Sequence, residues 1–229
     1  MKSRLMIVVA ALALLVAGCR PRPATTATTE TPTTSAHPPI RPSVVFLGTS
    51  LTVGLGVDPD QAYPALIQQK ADSAGLTIEV VNRGNSGVTS AGTLATIDWI
   101  LQNPPAVLVI EAGANDGLRG QDPDSTRANI QKIIDRVRAR DSATRIVLVG
   151  MEAMPNLGRR YVEQFRAIYP SLARANHLVL VPFLLAGVAG VDSLNQGDGI
   201  HPNPRGHRIV ADHVWRVLRP TLEAVGRRP

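Results

Sequence analysis

Five short apolar segments rich in β-branched residues alternate with longer amphipathic segments along most of the chain. The apolar segments are mostly continuous, which is typical of parallel strands that are buried on both faces. The intervening segments repeat their apolar residues three and four positions apart, as helices with one buried face do. Strands that alternate with helices form a parallel sheet covered on both sides, so the sequence predicts an α/β domain. The predicted strands are residues 44–47, 77–81, 106–111, 145–150 and 177–181, and the predicted helices are residues 63–74, 93–102, 125–139, 161–174 and 204–218.

Proline bounds the last predicted helix at both ends. Pro204 suits a first helical turn, where its missing N–H costs nothing. Pro220 cannot continue the hydrogen bonding of a helix. We therefore predict that this helix ends at about residue 218.

The first 42 residues differ from the rest of the chain in composition. Residues 1–4 carry two positive charges and residues 5–17 are an unbroken apolar run of 13 residues, which matches a secretory signal. This run is too short for a comfortable membrane span. Residues 20–42 are dominated by Thr and Pro and cannot bury enough apolar surface to fold. We predict a signal peptide over residues 1–18, a tether over 19–42 and one domain over 43–229.

Residues 16–19, Val-Ala-Gly-Cys, resemble the lipobox of bacterial lipoproteins, which is cleaved before a cysteine that becomes lipidated. Cys19 is the only cysteine, so an internal disulfide and a Cys-based zinc site are excluded. The alternative is an ordinary secretory signal with an incidental cysteine. The resemblance implies an extracytoplasmic protein that faces the periplasm and is anchored to a bacterial membrane by a lipid on Cys19. Arg20, where an aspartate would retain such a protein at the inner membrane, favours the outer membrane.

Positive charge is concentrated before the domain. The net charge is +6, but five of the 24 Lys and Arg residues and only one of the 18 Asp and Glu residues precede Ser43. The domain itself is therefore nearly neutral and has no basic stripe that would attract phosphates. Aromatic residues make up only 3% of the chain, too few for base-stacking surfaces. We expect no nucleic-acid partner.

Polar residues cluster after three of the predicted strands and before the last predicted helix. Because ligands bind outside the carboxyl ends of parallel strands, we expect these clusters to meet at one edge of the sheet. Each cluster alone is compatible with an ordinary turn or helix cap. Their coincidence at one edge indicates a functional site. The clusters are residues 48–52, 82–87, 113–117 and 198–202.

The clusters contain the groups that nucleophilic catalysis requires. A serine hydroxyl needs a base to take its proton, and that base needs a third group to orient it. Ser50 is the best candidate nucleophile, His201 the best base and Asp198 the orienting acid. The backbone N–H groups of Ser50 and Gly87 and the side-chain amide of Asn115 are candidate donors to an oxyanion.

Other interpretations of these residues remain. Ser86 is a rival nucleophile, although a serine between Asn85 and Gly87 more often shapes a loop. Asp198 and His201 are a possible pair of metal ligands, but no third ligand stands at a suitable spacing, so we expect neither metal nor cofactor. A G-x-S-x-G elbow is missing around Ser50, which disfavours an α/β-hydrolase fold.

The four clusters resemble the sequence blocks of the SGNH (GDSL-type) hydrolases, most closely the bacterial thioesterase, lysophospholipase and arylesterase branch. The likeness spans residues 44–217 and implies a flavodoxin-like three-layer α/β/α sandwich with a five-stranded parallel sheet. It also implies the roles assigned above: Ser50 as nucleophile, Gly87 and Asn115 as oxyanion donors, His201 as base and Asp198 as its orienting acid.

The chain departs from this family at one position. Thr49 stands where the family has an aspartate beside the serine. That acid is outside the catalytic triad, so we expect activity to survive, with an effect on rate or loop order.

We therefore predict a monomeric serine esterase that acts on small carboxylic esters with aryl or short- to medium-chain acyl groups. Thioesters and lysophospholipids are further substrates that the resemblance implies. Residues 118–123 and 183–197 are expected to line the acyl pocket. One alternative is a polysaccharide O-deacetylase, a use that the same family makes of this site. The other is a non-catalytic envelope lipoprotein, which would not need the intact set of Ser50, Asp198 and His201.

Overall fold

A computed structural model describes residues 41–227. The predicted signal peptide, Cys19 and nearly all of the predicted tether lie outside these residues. The strands are β1 Ser43–Gly48, β2 Glu79–Gly84, β3 Val107–Glu111, β4 Arg145–Val149 and β5 Val179–Val181. The helices are α1 Ser50–Val53, α2 Tyr63–Ser73, α3 Ser90–Ile100, α4 Ala114–Leu118, α5 Pro123–Arg140, α6 Arg159–Ala175 and α7 Pro204–Gly226.

All five strands pair in parallel, in the order β2-β1-β3-β4-β5. On one face α2 packs against α7, and on the other α3 packs against α5 and α5 against α6. This strand order is that of flavodoxin-like folds, in which the chain reverses direction across the sheet between β1 and β3. The predicted α/β/α sandwich with a five-stranded parallel sheet is confirmed.

The strand register aligns the carboxyl ends of the strands. Gly48 at the end of β1 pairs with Gly84 at the end of β2, and Glu111 at the end of β3 pairs with Val149 at the end of β4. The loops that follow these strands therefore leave the sheet side by side. This alignment brings the polar clusters to a common edge.

The prediction that all five strands are buried on both faces is wrong for the two edge strands. β1, β3 and β4 are almost entirely buried, whereas β2 and β5 are partly exposed. An edge strand has a neighbour on one side only, so β2 tolerates polar residues. Residues 82–84, which the sequence placed in a loop, accordingly form the end of β2, where Asn82 pairs with Phe46.

The last helix does not stop before Pro220, as the sequence predicted, but continues to Gly226. Leu218 and Leu222 are both fully buried, so the apolar face of α7 extends past the proline. At its end the carbonyl of Gly226 accepts a hydrogen bond of 2.9 Å from the N–H of Thr77. Burial of this face outweighs the one helical hydrogen bond that Pro220 cannot make.

Candidate active site

The structure brings Ser50, His201 and Asp198 into one chain of hydrogen bonds. Nε2 of His201 lies 2.9 Å from Oγ of Ser50, and Nδ1 of His201 lies 2.6 Å from Oδ2 of Asp198. Ser50 and His201 are 151 residues apart in sequence, and the fold alone brings them together. The arrangement is that of a nucleophile, its base and the acid that fixes the tautomer of the base.

A tight turn aims Asp198 at His201. Oδ1 of Asp198 accepts hydrogen bonds from the backbone N–H groups of Ile200 at 2.9 Å and His201 at 3.0 Å. Gly199 adopts a positive φ of 69° inside this turn, a conformation that favours glycine. The backbone N–H and then the imidazole of His201 lower the pKa of Asp198 to about 2. Asp198 is therefore ionised over the whole neutral range and can stabilise an imidazolium at His201.

Gln196 links the loop of His201 to the segment that follows α1. Its amide Nε2 donates to the carbonyl of Leu55 at 2.7 Å and to the carbonyl of Pro202 at 3.0 Å. These bonds join the loop that carries His201 to the segment that carries Ser50, across 141 residues of sequence. Gln196 was not predicted from the sequence, since nothing in its neighbours indicates a long-range contact.

Ser50 is the first residue of α1 and follows β1 directly. Thr49 caps this short helix, with its hydroxyl accepting a hydrogen bond of 3.4 Å from the N–H of Leu51. A Cβ at Gly48 would collide with the side chains of Thr52 and Glu111. Glycine at position 48 is therefore required for the sharp exit from β1 that presents Ser50.

A hydrogen bond connects Asn115 to the turn that contains Gly87. Nδ2 of Asn115 donates to the carbonyl of Val88 at 2.9 Å, while Gly87 turns the chain with a φ of 77°. An amide nitrogen carries two hydrogens, so Asn115 keeps one for a substrate oxygen. Arg119 secures the same turn by donating to the carbonyl of Gly87 at 3.1 Å. The oxyanion role of Ser50, Gly87 and Asn115 stays a prediction.

A largely apolar cavity of about 330 Å³ opens beside Ser50 and Asn115. Of the two segments predicted to line it, 118–123 contributes only Leu118, and 183–197 contributes only residues up to Gly190. Residues 151–155, whose role was not predicted from the sequence, form another wall. They follow β4, and the rule that placed the other loops at this edge also applies to them. The lining comprises Ser50, Leu51, Ala114, Asn115, Leu118, Met151, Glu152, Ala153, Met154, Pro155, Phe183, Leu185, Ala189, Gly190, Gly199 and Ile200.

Two carboxylates near the site are buried, and their roles were not predicted from the sequence. Glu111 ends β3 and Asp116 lies in α4, and both are almost completely inaccessible to solvent. A charged residue at the end of an otherwise apolar strand was the available signal for Glu111, because buried acids are rare unless they are hydrogen-bonded. Both accept hydrogen bonds from residues of the site loops.

Within residues 41–227, no group of three or more His, Cys, Asp or Glu side chains is arranged to hold a metal ion. Across that same range, none of the helices is both long and apolar enough to cross a membrane. Ser86, the rival nucleophile, lies in an exposed turn of the loop between β2 and α3.

Comparison with known proteins identifies relatives along most of the chain. Residues 46–209 match the GDSL-like Lipase/Acylhydrolase family. Esterase TesA of Pseudomonas aeruginosa is 38% identical over 181 residues, which cover 79% of this chain and 89% of that protein. The Arylesterase of Vibrio mimicus is 34% identical over 76% of this chain and 87% of that protein. The Thioesterase 1/protease 1/lysophospholipase L1 of Escherichia coli is 36% identical over 79% of this chain and 85% of that protein.

Solved structures give the same result. The crystal structure of TesA superposes with a TM-score of 0.74 at 37% identity and covers 78% of this chain and 99% of that chain. The psychrotrophic esterase EstA from Pseudoalteromonas, inhibited by monoethylphosphonate, superposes with a TM-score of 0.74 at 27% identity, over 80% of this chain and 99% of that chain. Sequence and fold thus agree over most of the described domain, and the chain belongs to the GDSL-like lipase/acylhydrolase family.

Proposed function

We propose that this protein is a serine esterase that hydrolyses small carboxylic esters carrying an aryl group or a short- to medium-chain acyl group. The observation that carries the proposal is the hydrogen-bonded series Ser50, His201 and Asp198 at the mouth of an apolar cavity. The relatives named esterase, arylesterase and thioesterase/lysophospholipase support the reaction class.

In the proposed reaction, Oγ of Ser50 attacks the ester carbonyl while Nε2 of His201 takes the serine proton. The carbonyl oxygen becomes an oxyanion, which the N–H groups of Ser50 and Gly87 and the amide of Asn115 stabilise. The C–O bond to the alcohol then breaks, and His201 gives its proton to the leaving alkoxide. Water attacks the acyl-enzyme with His201 again as base, and the acid is released as Ser50 regains its proton.

The cavity supports substrates with an acyl chain. Its walls are formed largely by apolar side chains, including Leu118, Met154, Phe183 and Leu185. Transfer of an alkyl chain from water to such a surface lowers its free energy. An acetyl group would fill little of the roughly 330 Å³ available. The size of the cavity therefore favours esters with acyl chains longer than acetyl over O-acetylated glycans. Thioesters and lysophospholipids present the same carbonyl chemistry and remain within the proposed substrate class.

A panel of p-nitrophenyl esters from acetyl to dodecanoyl tests the proposal, with Ser50→Ala and the matched variant Ser86→Ala. Activity should vanish in Ser50→Ala and persist in Ser86→Ala, and a fluorophosphonate should label wild type and Ser86→Ala only. Equal activity of wild type and Ser50→Ala would reject the proposal. Acetate release from acetylated glycan without turnover of longer esters would favour a deacetylase. If none of the esters is hydrolysed and the fluorophosphonate does not label the protein, a non-catalytic binding protein would be favoured.

We also propose that the domain works at the bacterial cell envelope, held by a lipid on Cys19 and a tether of residues 19–42. The motif of residues 16–19 and the Thr- and Pro-rich composition that follows support this. Full-length protein expressed in a Gram-negative host should sediment with membranes and incorporate labelled fatty acid, and Cys19→Ser should do neither. Wild-type protein that is secreted in soluble, unlabelled form would contradict the anchor.

A further inference from the structure

A buried carboxylate that the mechanism does not use lies directly against the nucleophile turn. Oε2 of Glu111 accepts hydrogen bonds from the backbone N–H of Thr49 at 2.6 Å and from the hydroxyl of Thr52 at 2.9 Å. The hydroxyl of Thr49 lies 3.0 Å from Oε1 and 2.9 Å from Oε2 of the same carboxylate. These donors come from both sides of Ser50 in the sequence. The carboxylate of Glu111 therefore binds both ends of the turn 49–52.

The directions of these hydrogen bonds require an acceptor at Glu111. The N–H of Leu51 donates to Oγ1 of Thr49, so the hydrogen of that hydroxyl remains for the carboxylate. The hydroxyl of Tyr63 lies 2.8 Å from Oγ1 of Thr52 and can donate to it, while Thr52 donates to Glu111. An ionised carboxylate satisfies every one of these donors, whereas a protonated one would bring a further hydrogen among them.

We infer that Glu111, in its ionised form, is the positioning residue for the nucleophile: it fixes the turn 48–52 so that Oγ of Ser50 stays within hydrogen-bond distance of His201. This inference rests on the proposed ester hydrolysis at Ser50. The space that Gly48 leaves open is occupied by Glu111 and Thr52, so the turn is shaped around the carboxylate. Thr49, where the resemblance leads one to expect an aspartate, supplies a neutral donor to Glu111 instead of a second negative charge.

The surroundings of Glu111 also make its charge sensitive to pH. Burial raises its pKa to about 7, although the hydrogen bonds from Thr49 and Thr52 act in the opposite direction. The titratable groups that face it are Tyr63 and Tyr169, and burial raises the pKa of both above the usual value for tyrosine. Both tyrosines therefore stay neutral near pH 7, and Glu111 alone changes charge within this network.

The test compares Glu111→Gln with Glu163→Gln, the same chemical change at an exposed position of α6. With an aryl ester, kcat of Glu111→Gln should fall by about a hundredfold, because a small misplacement of the nucleophile costs that much, while KM changes little. On the acid limb of the pH profile, kcat of wild type should fall as Glu111 takes up a proton near pH 7, and Glu111→Gln should lack this contribution. Glu163→Gln should behave as wild type. An unchanged kcat, or an unchanged acid limb, would overturn the inference.

Thr52→Val keeps the inference testable if Glu111→Gln fails to fold, because it removes one donor and leaves the carboxylate in place. Its kcat, and its rate of labelling by fluorophosphonate, should fall about tenfold, the effect of one hydrogen bond to a charged group. A lower melting temperature with unchanged kcat would mean that the network serves stability only and would reject the positioning role. Absence of Ser50-dependent activity in wild type would instead reject the proposed function, which is a distinct result.

Discussion

Asp116 accepts two hydrogen bonds from Ser90, one from its backbone N–H at 2.8 Å and one from its hydroxyl at 2.5 Å. Ser90 begins α3 and follows the turn that contains Gly87, whereas Asp116 is the neighbour of Asn115 in α4. Thr126 of α5 donates a third hydrogen bond to the same carboxylate at 3.2 Å. One buried acid therefore ties together the two segments that carry the candidate oxyanion donors.

Replacing Asp116 by Asn should loosen this connection. The amide keeps one acceptor oxygen but turns an NH₂ group toward donors, so we expect the free energy of unfolding to fall by about 2 kcal/mol. We also expect kcat to fall by about tenfold, because Asn115 and Gly87 lose their fixed separation. Urea denaturation and steady-state kinetics measure the two effects, with the exposed Asp124→Asn as the matched control. If both variants have the stability and kcat of wild type, the tie is unimportant.

Removing the side-chain donor of Asn115 should slow the chemical step. Asn115→Ala is expected to lower kcat by about a hundredfold to a thousandfold with little change in KM, since the lost hydrogen bond forms only as charge develops on the carbonyl oxygen. Asn85→Ala is the control for nonspecific effects on the loop between β2 and α3, because Asn85 is exposed and lies just before the turn that contains Gly87. A fall in kcat of similar size in both variants would remove the case for an oxyanion role.

Narrowing the cavity should change chain-length preference without affecting the reaction itself. Ala189 lines the cavity and is exposed at its surface, so a larger side chain there fits without disturbing the core. For Ala189→Leu, kcat/KM for octanoyl and longer esters should fall by about tenfold or more, while acetyl esters should be hydrolysed at the wild-type rate. Parallel loss with all chain lengths would show that the acyl chain binds elsewhere.

Burial of Glu111 should make the stability of the domain depend on pH. Its pKa rises from the usual 4.5 to about 7 on folding, so between these values the folded state binds a proton that the unfolded state has lost. The free energy of unfolding therefore decreases as pH rises through this window, by about 3 kcal/mol in total. Glu111→Gln lacks this contribution. The free energy of unfolding of Glu111→Gln minus that of wild type should therefore be about 3 kcal/mol larger above pH 7 than below pH 4.5.

The comparison with Glu111→Gln is needed because His207 acts in the opposite direction. Burial lowers the pKa of His207 from 6.5 to about 4, so the domain loses stability as pH falls through that range. Wild type should therefore show a shallow pH profile in urea denaturation, whereas Glu111→Gln should show a clear rise in stability with pH. Parallel profiles for the two proteins would contradict the assignment of the raised pKa to Glu111.

Local patterns sufficed where each residue's environment follows from its neighbours in sequence. The central strands β1, β3 and β4 and the long helices α2, α3 and α5 were predicted to within a few residues, because continuous apolar runs and three-to-four spacing reflect burial directly. The short helices α1 and α4 were not predicted. Errors arose where long-range packing competes with local preference. The partial exposure of β2 follows from its place at the edge of the sheet, and the continuation of α7 past Pro220 follows from the burial of its apolar face. Both depend on neighbouring elements that are distant in sequence.

The candidate site could be predicted from the sequence, because the carboxyl ends of parallel strands lie at one edge of their sheet and this rule needs no coordinates. Its residues are Ser50, Gly87, Asn115, Asp198 and His201. Distances, directions and charge states needed the folded chain. The positions of Glu111, Asp116 and Gln196 and the wall formed by residues 151–155 follow from contacts between segments far apart in sequence. Such contacts arise from how the layers pack, and a buried carboxylate acquires its partners and its pKa only when packing removes it from water.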